Sequence, residues 1–304
     1  MKKNAATDNL FQDRNPLRDM LVVVAVLVLL AALLEVSVRF IVDDARDFDI
    51  EMWKYARELK RPTENRNLGH EHVANSSAHL MGVDVAVNSR KLRDAEYDYA
   101  KPDGTLRILM LGDSVTFGWG VRLEDTVSKI LERSLNGISD GRRFEVINAG
   151  VGNYNTEMEV EYFLAEGHKY SPDVVVLNYF INDAEEVPRE KTSLLSDFSY
   201  AYIYLSGRFD VLWRQYFGGK DWLKYYRDLY REDAEGWRRA VDNIERLRRF
   251  TQDNGVLLLI VNYPELHHLE NYPFAGVERK IRAVAQERGI PYLDLLGSIA
   301  HKSP

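Results

Sequence analysis

The chain of 304 residues contains no cysteine. That excludes a disulfide scaffold, a thiol nucleophile and any thiolate-held zinc or iron–sulfur centre. It leaves a location outside the cytoplasm open, because a chain of this length buries a core that needs no cross-links. Positive charge is in deficit: 40 Lys and Arg stand against 47 Asp and Glu, a net charge of −7. Nucleic acid is therefore not expected as a partner, since phosphate binding runs on a basic surface. Neither a P-loop nor a dinucleotide fingerprint occurs, and no cofactor is expected. With 45% hydrophobic and 29% charged residues, the composition is that of an ordinary folded protein.

What the chain does have is one long apolar run near its start. Met20 to Leu34 reads MLVVVAVLVLLAALL, uncharged throughout. Fifteen residues span about 22 Å as a helix, short of a hydrocarbon core of roughly 30 Å. Extension to Val42 gives about 34 Å and takes in Glu35 and Arg39. These two are four residues apart, so they can pair on one helix face near the membrane edge. No small-residue cleavage site follows the run. The expectation is thus a polar tail over 1–19 and an uncleaved transmembrane signal anchor over 20–42, with the lipid bilayer as partner. Basic residues flank both ends (Lys2, Lys3, Arg14 and Arg18 before, Arg46, Lys54, Arg57 and Lys60 after), so charge decides the orientation only weakly.

Residues 43–104 are polar with scattered charges and read as a stalk or lead-in, with one candidate strand at Val83 to Val87. From 105 onward the pattern changes. Continuous apolar runs at Leu106–Leu111, Phe144–Ala149, Asp173–Phe180, Val256–Tyr263 and Pro291–Leu295 fit strands buried on both faces of a parallel sheet. Helical spacing joins Val127, Ile130, Leu131 and Leu135, then Trp237, Ala240, Val241, Ile244, Leu247 and Phe250, then Val277, Ile281 and Val284. Thr156 followed by Glu159 reads as a capping box opening a further helix. Alternating strands and helices predict an α/β fold, a doubly wound five-stranded mainly parallel sheet over 105–304. An aromatic-rich insertion over about 190–232 interrupts the alternation: Phe198 to Tyr230 holds 12 of the chain's 34 aromatic residues. Such an insertion suits a lid, a substrate wall, a membrane-facing surface or a packed subdomain.

Ligands of open α/β sheets bind beyond the carboxyl ends of the strands. The first strand is followed there by Gly112-Asp113-Ser114, the second by NAGVGNYNT from Asn148 to Thr156, the third by Asn182-Asp183. A serine at a strand-to-helix turn exposes its hydroxyl and faces the unsatisfied N–H groups of the next helix. Acyl transfer needs donors aimed at its oxyanion. The backbone N–H of Ser114, an N–H in the 150–153 turn and the Asn182 amide are the candidate donors, and Ser114 is the candidate nucleophile. Alone, each segment also reads as an N-cap or an ordinary turn. Only their convergence at one sheet edge points to chemistry. The G-x-S-x-G elbow of α/β-hydrolases is absent.

These blocks resemble the SGNH, or GDSL-type, hydrolase superfamily, from about Val85 to the C-terminus. The GDS block places the nucleophile at Ser114. The N-x-G-x-x-G block matches at Asn148 and Gly150 but has Asn153 where the family carries its oxyanion glycine, with Gly152 beside it as a substitute donor. The third block keeps Asn182 and has Phe180 in place of its glycine. Asp113 and Asp183 stand as supporting residues. The lead-in VNSRKLRDAEY ahead of KPDGTLRILMLGDS is similar to membrane-anchored members, some associated with surface polysaccharide synthesis.

One block of the resemblance is missing. The family's base lies in a D-x-x-H block after the fifth strand, and none of the seven histidines has Asp three residues before it. The chain is expected to be a fragment that stops short of this block, with His301 as a weak base candidate, and to be nearly inactive as it stands. His70 with His72, and Glu265, His267, His268 and Glu270, hold metal-ligand types; surface loops account for both groups, and no metal is expected. The resemblance implies a single-pass membrane protein whose C-terminal domain lies outside the cytoplasm, periplasmic or extracellular. It further implies a serine esterase acting on O-acyl esters, such as those of carbohydrates. An O-acyltransferase, or a non-catalytic binding or polysaccharide-assembly protein on the same fold, is the alternative.

Overall fold

The computed structural model describes residues 15–138, 141–187, 194–217 and 222–299. It begins with helix α1, Pro16–Ser37, prolonged by a wider π-helical turn through Val38–Val42. Asn15 caps it by accepting from the N–H groups of Leu17 and Arg18, and Pro16 occupies the first turn, where no N–H is needed. Pro16–Val42 forms 27 helical residues, whose most apolar 18-residue stretch has a mean hydropathy of 3.0 and is almost wholly exposed. That is long and apolar enough to cross a membrane or to serve as a signal sequence. Arg39 pairs with Glu35 at 3.1 Å, as their spacing predicts.

The lead-in is folded rather than an extended stalk. Helix α2 (Phe48–Glu58) is followed by two antiparallel hairpins, β1 (Lys60–Pro62) with β2 (His70–His72), and β3 (Ser77–Leu80) with β4 (Val83–Ala86). Tyr55, Leu59, Leu80, Val85, Val87 and Phe117 form one buried cluster, so this layer packs on the chain just past residue 112. Its apolar residues stand singly among charges, which hid the layer in the sequence pattern.

The α/β unit follows: β5 (Thr105–Gly112), the one-turn helix α3 (Ser114–Phe117), α4 (Val127–Ile138), β6 (Arg143–Gly150), α5 (Thr156–Ala165) and β7 (Val174–Tyr179). The aromatic insertion supplies α6 (Leu194–Phe198), α7 (Tyr200–Phe217) and α8 (Trp222–Leu229). Then come α9 (Glu235–Asp253), β8 (Leu257–Asn262), α10 (Ala275–Glu287), β9 (Tyr292–Asp294) and α11 (Leu296–Ile299). The five strands pair in parallel in the order β6-β5-β7-β8-β9. All five predicted apolar runs are strands of this doubly wound sheet, with the main core on one face and a smaller cluster on the other.

One predicted cap is corrected. Asn155, not Thr156, caps α5, accepting from Met158 N–H at 2.9 Å. Thr156 is already helical and donates its hydroxyl to Asp183 at 3.2 Å, while the Glu159 carboxylate is buried without a partner instead of reaching back to the cap. Both residues are drawn inward by packing across the sheet edge, which a local capping pattern does not register.

Candidate active site

The carboxyl ends of β5, β6 and β7 converge as the three motifs require. Beyond Gly112, Asp113 is buried and caps α3, its Oδ1 accepting from Val115 N–H at 2.8 Å. Ser114 is thereby held as the first residue of the helix, half-buried, its hydroxyl without a hydrogen-bond partner among the described residues. The expected helix is a single turn, closed by Gly118 at φ +84°, so its dipole is small and the useful donors are individual N–H groups. Arg93 locks the end of this turn. Its buried guanidinium donates to the carbonyls of Phe117, Gly118 and Val121, and burial lowers its pKa to about 10.

The end of β6 is pressed against the same turn. A Cβ on Gly150 would lie 2.3 Å from the backbone nitrogen of Phe117, so no larger residue fits without moving the backbone beside Ser114. Asn148 is fully buried, and its Oδ1 accepts from Gly150 N–H at 2.9 Å. The two candidate donors in the following turn part company here. Gly152 N–H already donates to the Tyr55 hydroxyl at 2.8 Å, and the Tyr55 ring fills the space a side chain at 152 would need. Asn153 takes the left-handed conformation, φ +68°, that the glycine of the resembling motif would supply. Asn is among the residues that tolerate it best. Asn153 N–H is thus the donor left in this turn.

Asn182, in the turn after β7, donates through Nδ2 to Asp113 Oδ2 at 3.1 Å. An amide nitrogen carries two hydrogens, so this bond holds the Asn182 side chain against the residue preceding Ser114 and leaves a second N–H. Asp183 faces away from solvent, accepting from the hydroxyl of Thr156. Burial pushes both Asp183 and Glu159 well above the usual carboxyl range, helped by repulsion from Asp113 on each and from Asp183 on Glu159. Burial pushes Asp113 up to about 6, opposed by its bonds from Val115 and Asn182.

The folded lead-in contributes groups that sequence reasoning missed. Tyr55 on α2 accepts from Gly152 N–H and donates to His72 Nε2 at 2.7 Å, while His72 Nδ1 donates to the Lys91 carbonyl at 3.1 Å. The carbonyl acceptor fixes the tautomer. His70 Nε2 donates to the Gly152 carbonyl at 3.0 Å, and Lys60 Nζ reaches that carbonyl and Asn153 Oδ1 at 3.0 Å. Burial lowers His72 to about 4 and His70 to about 3. Both are neutral structural residues at pH 7. The expectation of a surface loop at His70 and His72 is corrected: both lie on β2, with His72 buried under the Tyr55 hydroxyl.

Of the other described histidines, His79 bonds to Asp84, His168 to the Phe163 carbonyl and His267 to Glu265, while His268 is exposed. No cluster of three or more metal-ligating side chains occurs among the described residues. His301, the weak base candidate, lies outside the described residues.

The model of the GDSL-like lipase/acylhydrolase family matches residues 110–303. No curated protein matches the chain. Among solved structures, the SGNH-hydrolase family esterase AlinE4 is similar at 16% identity, over 65% of this chain and 80% of its own, with a TM-score of 0.39. The lipase/acylhydrolase from Enterococcus faecalis aligns at 17% identity over 64% of this chain and 77% of its own, TM-score 0.36. The acetyl xylan esterase AlAXEase aligns at 17% over 64% and 79%, TM-score 0.36.

Proposed function

Because the chain belongs to the GDSL-like lipase/acylhydrolase family, we propose that it is a membrane-anchored serine esterase of the SGNH type, with Ser114 as nucleophile. The observation that carries this reading is the bond from Asn182 to Asp113, which ties the third motif to the residue preceding the nucleophile. Ser114 Oγ attacks the ester carbonyl, and the developing oxyanion accepts from Ser114 N–H, Asn153 N–H and the second N–H of Asn182. Collapse expels the alcohol and leaves an acyl-serine, which water then hydrolyses to the acid. A base must take the hydroxyl proton and return it to the leaving alcohol. In the family a histidine has this role, and no described histidine is hydrogen-bonded to Ser114.

O-acylated carbohydrates or similar polar esters are the proposed substrates, a reading that rests on the resemblance of the lead-in to polysaccharide-associated members. Transfer to an alcohol in place of water would make the same site an O-acyltransferase. The anchor reading places α1 in the bilayer and the α/β domain outside the cytoplasm.

The test uses the full-length protein in detergent micelles with p-nitrophenyl acetate. Ser114→Ala is expected to lower the rate at least a hundredfold, and Asn182→Ala by about 10²–10³, the usual effect of an oxyanion donor. Equal rates for Ser114→Ala and the parent would leave a non-catalytic binding protein as the reading. Topology is read separately: with no native cysteine, a single one placed at exposed Leu257 should react with an impermeant maleimide from outside the cell. Reaction only after lysis would reverse the orientation.

A further inference from the structure

The aromatic insertion is tied to the anchor by a carboxylate. Glu35 accepts from Tyr200 N–H at 3.1 Å, Ala201 N–H at 3.0 Å and the Ser199 hydroxyl at 2.8 Å, capping the first turn of α7. A charged side chain is costly deep in hydrocarbon, so Glu35, one residue past the uncharged run, marks the edge of the bilayer. Helix α7 therefore starts at that edge. Its inner face is occupied: Ala201, Ile203 and Tyr204 pack with Val38, Val42 and Ile50, and Arg208 pairs with Asp47 at 2.6 Å.

The outer face is apolar and uncovered. Phe198, Tyr202, Leu205, Phe209 and Leu212 recur at intervals of four, three, four and three residues, and each is 42–65% exposed. Tyr202, Leu205, Phe209 and Leu212 thereby share one side of α7, and Phe198, the last residue of α6, stands just before them. Phe40, Ile41 and Phe48, at the exit of the anchor, are also exposed. Arginines accompany them: Arg39 lies 4.7 Å over the Tyr200 ring, and Arg57 stacks 4.7 Å from Trp53 and 5.5 Å from Phe198. Aromatic rings with basic side chains at the end of an apolar helix have the chemistry of the lipid headgroup boundary.

We propose that α7 lies on the bilayer as a second, peripheral contact, its Tyr202–Leu212 stripe facing the boundary of headgroups and acyl chains. The occupant is lipid rather than a second copy of the chain because the stripe is continuous with a helix that already demands lipid on all sides. This rests on the anchor reading and not on the esterase chemistry.

Single cysteines at Leu27, Leu205, Phe209 and Leu257, each carrying an NBD fluorophore, test it in the full chain reconstituted into phosphatidylcholine vesicles containing spin-labelled lipid. Positions 205 and 209 are expected to emit at shorter wavelength than 257 and to be quenched several-fold more, by headgroup-level and shallow acyl labels. Position 27 should respond to deep labels. Quenching at 27 but not at 205 and 209 overturns the proposal while the anchor stands. Loss of quenching at 27 removes both. Disulfide cross-linking of the unlabelled Leu205→Cys protein between copies, with 205 unquenched, would show that the stripe is a dimer face and equally overturns the proposal.

Discussion

Replacing Tyr55 by Phe removes one oxygen and leaves two partners stranded. Gly152 N–H loses its acceptor at 2.8 Å, and His72 Nε2 loses its donor at 2.7 Å. Tyr55 and His72 are both buried, so water does not replace the hydroxyl without repacking. Each unsatisfied buried polar group costs about 1–3 kcal/mol. His72 cannot recover by switching tautomer, because its Nδ1 proton is committed to the Lys91 carbonyl. The expected loss is about 3 kcal/mol, which for a domain of this size lowers Tm by about 6–12 °C. Thermal unfolding of the detergent-solubilised protein followed by near-ultraviolet circular dichroism reads this directly. A Tm within 2 °C of the parent would refute the claim that the lead-in and the 150–154 turn form one cooperative unit.

Acid stability reflects two opposed sets of groups. His72 is near 4 in the folded state against about 6.5 unfolded, so its contribution is complete above pH 6.5 and fades as pH falls toward 4. Asp113 works the other way: with a folded value of about 6 against 3.8, it binds a proton first in the native state and adds stability as pH drops through 6. Asp113→Asn should therefore lose about 3 kcal/mol more than the parent between pH 7 and pH 4 in urea titrations; parallel curves would contradict the assignment. Gly150→Ala forces a methyl against the Phe117 backbone. It should destabilise by about 1–3 kcal/mol and depress esterase turnover more than substrate affinity, and unchanged kinetics would mean that this contact does not position Ser114.

The sheet was legible because its strands are buried on both faces and read as unbroken apolar runs, Leu106–Leu111 most clearly. The three motifs could be placed at one edge because each follows such a run. The layer over the site was not legible: Tyr55, His72 and Arg93 are isolated in charged surroundings, and burial of single polar residues leaves no periodic trace. Helix α5 shows the same limit from the other side. It is buried nearly all round, Thr156 through Phe163, so no amphipathic stripe marks it, and its cap was misplaced by one residue.

Helix α2 has its first turns against α7 and Tyr55, three residues short of its end, on the Gly152 turn. From Ile50 to Tyr55 is about 8 Å of helical rise. On the proposed anchor reading, α2 is a stiff link between the end of α1 and the turn facing Ser114, so that serine is held at a set distance from the helix end instead of swinging on a tether.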